Sequence, residues 1–232
     1  MSKSVAIIQS NYIPWKGYFD IISKVDHFLL YDDMQYTKRD WRNRNQIKTP
    51  QGLFWLTIPT EVKGKFTQKI CETKISDKAW IDQHWQTIRH NYRKAPCFNE
   101  SENFFADLYE RATSPMLSEV NFLFLTEICK FIEIPTRIEF SMNYPVSEGK
   151  SERLLDLCKQ LGATKYLSGP AAKDYLDTSI FNAAGVQVEF MDYSGYPPYR
   201  QLHGEFVHNV SIVDLIMNEG KDAARFLRRN GT

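Results

Sequence analysis

The chain has few cysteines, no long apolar run and no excess of charge of either sign, and each shortage closes off a class of protein. Its four cysteines, Cys71, Cys97, Cys129 and Cys158, are scattered, with no Cys-x-x-Cys pair and no histidine at metal-ligand spacing. That excludes a zinc module and a disulfide framework, leaves no metal site to expect, and fits buried thiols in a reducing compartment. No segment approaches the roughly 18–20 apolar residues of a membrane span. Near the N-terminus Ile21-Ile22 is interrupted by Ser23-Lys24 and Asp26, so no signal-peptide core is present. The expectation is a soluble, cytoplasmic protein without a membrane span. A formal net charge of +1 removes bulk electrostatics as a means of holding nucleic acid and leaves only a local patch for that purpose. The Gly-x-Gly-x-x-Gly fingerprint, the Gly-x-x-x-x-Gly-Lys-Ser/Thr phosphate loop and the Gly-x-Ser-x-Gly elbow are all missing.

What is present is a core-forming chain of 232 residues, 43% hydrophobic and 14% aromatic. That length suits a single α/β domain over residues 1–232. Val5–Gln9 reads as a short apolar strand, Gly17–Val25 as a helix and His27–Tyr31 as a second strand. Phe54–Ile58 is a dense β-type run stopped by Pro59, Lys69–Ile75 alternates weakly, and Thr49-Pro50-Gln51-Gly52 is a turn. From residue 77 to 134 the spacing is helical: Trp80, Ile81, His84, Trp85, Ile88 and Tyr92 recur every three or four residues, and Leu117–Ile132 is apolar around most of its circumference. With no linker on either side, residues 77–134 read as a helical lobe or insertion. Strands then return at Ile138–Ser141, Lys165–Leu167 and Val186–Met191. Helices are expected from Ser151, after Ser168-Gly169-Pro170, up to Gly185, and from Ser211 as N-cap. The pattern predicts an α/β fold with a Rossmann-like mixed sheet and a helical insertion in the middle third.

Polar and aromatic residues crowd the turns. After the first strand come Gln9, Asn11, Tyr12, Trp15 and Gly17, where an open α/β sheet presents a lip to its ligand. After the second come Asp32 and Asp33, then Gln35, Lys38, Trp41, Arg42, Asn43, Arg44 and Asn45. Five cations against Asp40 give residues 35–48 a local charge of +4. Adjacent carboxylates suit sugar hydroxyls, a metal or base catalysis, and Arg44, with Lys38 and Arg42 nearby, suits phosphate. His84 lies on an apolar helix face, where a packed, hydrogen-bonded histidine is the commoner outcome; it is also the best-placed imidazole for proton transfer. Ser168, Gly169 and Lys173 open a later helix whose free amides suit an anion. Ser211 and Asp214 read as a cap and a first-turn acid.

The ordered set Gln9-x-x-Tyr12-x-Pro14-Trp15-x-Gly17-Tyr18-Phe19, Tyr31-Asp32-Asp33-x-Gln35-Tyr36-x-Lys38-x-x-Trp41-x-Asn43-Arg44-Asn45, Trp55-Leu-Thr-Ile-Pro59, His84-x-x-x-Ile88-x-x-x-Tyr92-x-Lys94-Ala-Pro96, Tyr166-Leu-Ser-Gly169 and Ser211-Ile-Val-Asp214 resembles the WbqC-like family over nearly the whole chain. Ser10 departs from the Pro usual there. The resemblance implies a role in O-antigen and other bacterial surface polysaccharide (lipopolysaccharide) synthesis: acyl or aminoacyl transfer, of a glycine type, onto a nucleotide-linked amino sugar. In that reading Arg44 and Lys38 hold the diphosphate with help from the Gly169 amides, and Tyr12, Trp15 and Trp41 stack. Asp32 or Asp33 grips the sugar or orients its amine, with His84 as base. Gln9, Asn11, Gln35, Asn43, Asn45, Ser168 and Lys173 complete the substrate site. No cofactor is expected; a thioester or an aminoacyl-tRNA supplies the activated group. Adenylyl transfer and a non-enzymatic accessory role in glycan assembly stay open beside it.

Overall fold

The computed structural model describes residues 3–227. In chain order it runs β1 (Ser4–Ile8), α1 (Lys16–Ser23), β2 (His27–Leu30), β3 (Arg44–Thr49), β4 (Gly52–Thr57), α2 (Trp80–Tyr92), α3 (Phe98–Arg111) and α4 (Leu117–Phe131). It continues β5 (Arg137–Phe140), α5 (Ser151–Gln160), β6 (Lys165–Ser168), α6 (Thr178–Ala183), β7 (Gln187–Phe190) and α7 (Ile212–Glu219). Five strands form one sheet in the order β5-β2-β1-β6-β7, and every neighbouring pair is parallel. Among the described residues, antiparallel pairing of strands is confined to the separate β3–β4 hairpin, so the expected mixed sheet is in fact a parallel sheet with a hairpin beside it.

The reason is in the strands. Val5-Ala-Ile-Ile and His27-Phe-Leu-Leu carry apolar groups on both faces, as strands covered on two sides must. Ala6, Phe28, Leu30 and Leu167 face one core, shared with α1, α2, α3, α4 and α7. Val5, Ile7, Leu29 and Tyr166 face a second core, built with α5 and α6. Residues 31–136 connect β2 to β5 and contain the hairpin and the three helices of the middle third. Two local readings change, and one strand joins them. Lys69–Ile75 holds a 3-10 turn (Ile70–Glu72) tied by isolated bridges rather than a strand. Residues 44–49, a polar stretch given no element from its sequence pattern, pair with β4 along their length. The segment after Ser168 is a 3-10 turn, Pro170–Asp174, not an α-helix.

Two polar features sit inside this packing. Asp214, in the first turn of α7, accepts the hydroxyls of Tyr92 at 2.8 Å and Tyr199 at 2.7 Å, while the Ser211 side chain caps the helix. Lys16 is 2% exposed. Its ammonium donates to the Pro197 carbonyl at 2.9 Å and lies 5.2 Å from the ring centres of both Tyr196 and Tyr199 and 5.7 Å from that of Phe206. Burial lowers its pKa to about 8.

Candidate functional site

Going outward from β1, the chain turns to β2 and β5 on one side and to β6 and β7 on the other, so connections leave in opposite directions at the β1–β6 boundary. The two strands also part there. β1 is in register with β2 over four residues, Val5 to Ile8, but with β6 over only Ser4 and Val5. Past that point the walls diverge and a cleft of about 610 Å³ opens, floored by Ile7 and Ile8 of β1 with Gln9 just after it, and by Tyr166 and Ser168 of β6 with Gly169 just after it. Tyr31, Arg42, Lys150, Arg153 and Tyr175 stand on its walls among smaller and apolar residues. Three of the lining residues are cations and none is a carboxylate.

The cations are held in different ways. Arg42 donates one guanidinium nitrogen to Asn11 Oδ1 and the other to Gln9 Oε1, and its side chain is 14% exposed. Arg153, in the first turn of α5, pairs with Asp33 and lies 5.7 Å from the Tyr31 ring, with its Nε–H enclosed and without a partner. Asp33 also accepts from Ser141 Oγ at 2.9 Å. Lys150 stands exposed just ahead of α5. The positive end of that helix and its two cations therefore meet the β1–β6 edge.

A second cavity, of about 270 Å³, is lined by Asn11, Pro14, Trp15, Trp41, Asn45 and Asn209. The Arg42 guanidinium, on the wall of the large cleft, bonds to Gln9 of that cleft and to Asn11 of the smaller cavity and so links the two linings.

The remaining expected site residues lie elsewhere. Tyr12 is fully buried, so it has no face for a ligand: its hydroxyl meets Tyr109 Oη at 2.7 Å and His84 Nδ1 at 2.9 Å. Its ring packs edge-on against Trp80 and Phe124. His84 also bonds the Thr57 backbone carbonyl, and desolvation holds its pKa down at about 4. The imidazole is therefore neutral, donating to Thr57 and accepting from Tyr12, and it lines neither cavity. Asp32 is fully buried behind Arg42, accepting from the Ser10 N–H at 2.8 Å and from Ser118 Oγ; burial raises its pKa. Asn43 donates to the Ile58 carbonyl, and Gln35 to the Phe66 carbonyl. Arg44 stacks 4.1 Å from the Trp55 ring centre, Lys38 lies 5.6 Å from that of Phe66, and Lys173 lies 5.5 Å from that of Phe190.

Thus the structure brings Gln9, Ser168 and Gly169 to the large cleft and Asn11, Trp15, Trp41 and Asn45 to the small one. It sets Tyr12, Asp32, Asn43 and His84 in the interior, and Gln35, Lys38, Arg44 and Lys173 away from both cavities. The cleft also contains Tyr31, which opens the second motif without a role assigned to it, Tyr175, and two cations that the motifs did not single out, Lys150 and Arg153. The available signal was the basic start of the helix that follows β5, since in this architecture helix N-termini gather at the ligand edge. Among the described residues no group of three or more His, Cys, Asp and Glu side chains is placed to hold a metal ion, and no helix is long and apolar enough to cross a membrane.

The model of the WbqC-like protein family matches residues 9–226. The chain belongs to this family. The WbqC match begins at Gln9 and takes in every residue lining the two cavities except Ile7 and Ile8. The chain is also 50% identical over 226 residues to the uncharacterized protein Rv1507c of Mycobacterium tuberculosis, covering 97% of this chain and 98% of the relative. No solved structure matches it.

Proposed function

We propose that the large cleft binds a nucleotide-linked amino sugar, and that this WbqC-like protein is a transferase placing an acyl or aminoacyl group on it for surface polysaccharide synthesis. The observation that carries the reading is the meeting of Arg42, Lys150 and Arg153 with Tyr31 and Tyr175 at the divergent ends of β1 and β6. Guanidinium groups grip a diphosphate through charge-assisted hydrogen bonds, and tyrosines offer flat faces to a base. The strand order is that of Rossmann-like sheets, which take nucleotides at this crossover; that support is an analogy of fold.

The diphosphate contacts we assign are therefore Arg42, Arg153 and Lys150 rather than Arg44 and Lys38. Among the described residues no Cys, His, Asp or Glu lines either cavity, so the part we assign to the chain is to bind and align the amine and an activated donor, a thioester or an aminoacyl-tRNA, rather than to form a covalent intermediate on a thiol. A second reading, adenylyl transfer, uses the same cleft with ATP.

Calorimetric titration with uridine-, thymidine- and guanosine-diphosphate amino sugars and with ATP tests the assignment. The expected result is saturable binding of one sugar nucleotide, weakened in Arg153→Met by about 1.5–3 kcal/mol, roughly ten- to a hundredfold. Binding of ATP with pyrophosphate release would favour the second reading. Binding of no nucleotide would overturn both.

A further inference from the structure

The smaller cavity has a chemistry of its own. Two indoles, a proline and three carboxamides line it, and none of these side chains carries a charge, although Arg42 bonds to one of them, Asn11. At about 270 Å³ it falls just below the ~300 Å³ where small-molecule pockets begin, which is room for one ring.

Its walls are fixed in place. Trp15 packs edge-on against Tyr193 at 5.3 Å and Tyr196 at 5.9 Å between ring centres. A Cβ on Gly17 would fall 2.2 Å from Trp15 Cζ2, so only glycine lets this indole lie back over the start of α1. Between Asn11 and Trp15 the chain passes through Ile13 with φ at +35°, a conformation a β-branched residue adopts only when its surroundings dictate it. The constraint comes from α7: Ser211 Oγ donates to the Ile13 carbonyl at 2.8 Å, and the Ile212 N–H donates to the Pro14 carbonyl at 2.9 Å.

The amides are left with capacity to spend. Asn11 Oδ1 accepts from Arg42, which among the described residues leaves its amino group without a partner. Asn45 gives one N–H to the Tyr12 carbonyl at 3.2 Å and accepts the Gln46 N–H at 2.8 Å, which leaves its second N–H. Asn209, exposed at the rim, has both ends of its amide available.

Uncharged walls with indole faces and unspent amides fit neither phosphate nor carboxylate. They fit a ring that has C–H bonds on its faces and hydroxyls, each both donor and acceptor, on its edge. We propose that this cavity is a subsite for an uncharged hexopyranose ring, packed against Trp15 and Trp41 and hydrogen-bonded by Asn11, Asn45 and Asn209. The inference rests on the proposed function only in placing a sugar beside a nucleotide site. The same chemistry serves a glycosyl group carried on the nucleotide or a separate glycoside.

The experiment combines saturation-transfer NMR with methyl hexopyranosides and calorimetry with uridine diphosphate and its hexose conjugate. The intact chain is compared with Trp41→Ala and Arg153→Met; Trp41 is 42% exposed, so its loss leaves the core untouched. The expected result is transfer to the glycoside that is abolished in Trp41→Ala and kept in Arg153→Met, with a separate glycoside as the ligand. A silent glycoside, with conjugate binding at least about tenfold weaker in Trp41→Ala and uridine diphosphate binding unchanged, also supports the subsite and delivers the ring on the nucleotide. If no nucleotide binds while glycoside transfer depends on Trp41, the nucleotide reading fails and the subsite stands. The subsite is overturned if Trp41→Ala changes neither glycoside nor conjugate binding, if it weakens uridine diphosphate and its conjugate equally, or if neither glycoside nor conjugate binds the intact chain.

Discussion

His84 and Arg42 are both largely enclosed, and both hydrogen-bond to the same short segment after β1: His84 to Tyr12, Arg42 to Gln9 and Asn11. Around His84 the hydrogen bonds close on themselves, running from Tyr109 through Tyr12 and the imidazole to the Thr57 carbonyl. Around Arg42 they stop at two cavities, with amide hydrogens on Asn11 still unspent. The difference teaches that residue type is a poor guide to chemistry here. A polar group whose donors and acceptors are all used inside the protein is a structural part, whereas one with capacity left over at a cavity is available to a ligand.

The contrast can be broken first at Asp32, whose carboxylate is, like the His84 imidazole, engaged inside the protein although it lies behind Arg42. Asp32→Ala leaves the Ser10 N–H and the Ser118 hydroxyl without their acceptor, and the expected loss is about 4 kcal/mol of stability in urea unfolding. A loss below about 1 kcal/mol would return Asp32 to the list of functional carboxylates.

The next largest effect is in acid. His84 titrates near 4 in the folded chain against 6.5 unfolded, so between these values the unfolded state binds more protons. Stability should be independent of this group above pH 6.5 and fall by about 3 kcal/mol as pH drops to 4. In His84→Gln the slope across that window should flatten. An unchanged slope, together with a turnover that falls at unchanged stability, would move His84 into the reaction.

The smallest effect separates the cations. Arg44 lies over the partly exposed Trp55 and touches neither cavity, so Arg44→Ala should cost about 0.5–1 kcal/mol of stability and leave sugar-nucleotide affinity unchanged. Weakened binding in Arg44→Ala would show that the ligand reaches the hairpin.

Much of the architecture could be read from the sequence because its strands and helices announce themselves by periodicity. The apolar run before Gln9, the buried helix at Leu117–Phe131 and the Ser211 cap stand where their patterns put them. The polar strand Arg44–Thr49 escaped because its pairing comes from β4, not from its own composition. The site was legible only at its lip. Gln9, Asn11, Trp15, Trp41, Ser168 and Gly169 lie in segments whose turn chemistry marks them, but the sequence does not say which way each side chain points. Tyr12 lies next to Asn11, and it faces inward while Asn11 lines a cavity. Arg153 was hidden for another reason: it reaches the cleft only because the chain crosses from β5 at one edge of the sheet back to β6 beside β1.

The lysine beneath the rings of Tyr196, Tyr199 and Phe206 makes a chemical clock of the loop that covers it. Burial keeps the Lys16 amine from solvent, so an acylating reagent meets it only while the segment carrying those rings is lifted away. The rate at which Lys16 is labelled, set against the rate for an exposed lysine such as Lys63, counts the openings of that segment without any introduced probe.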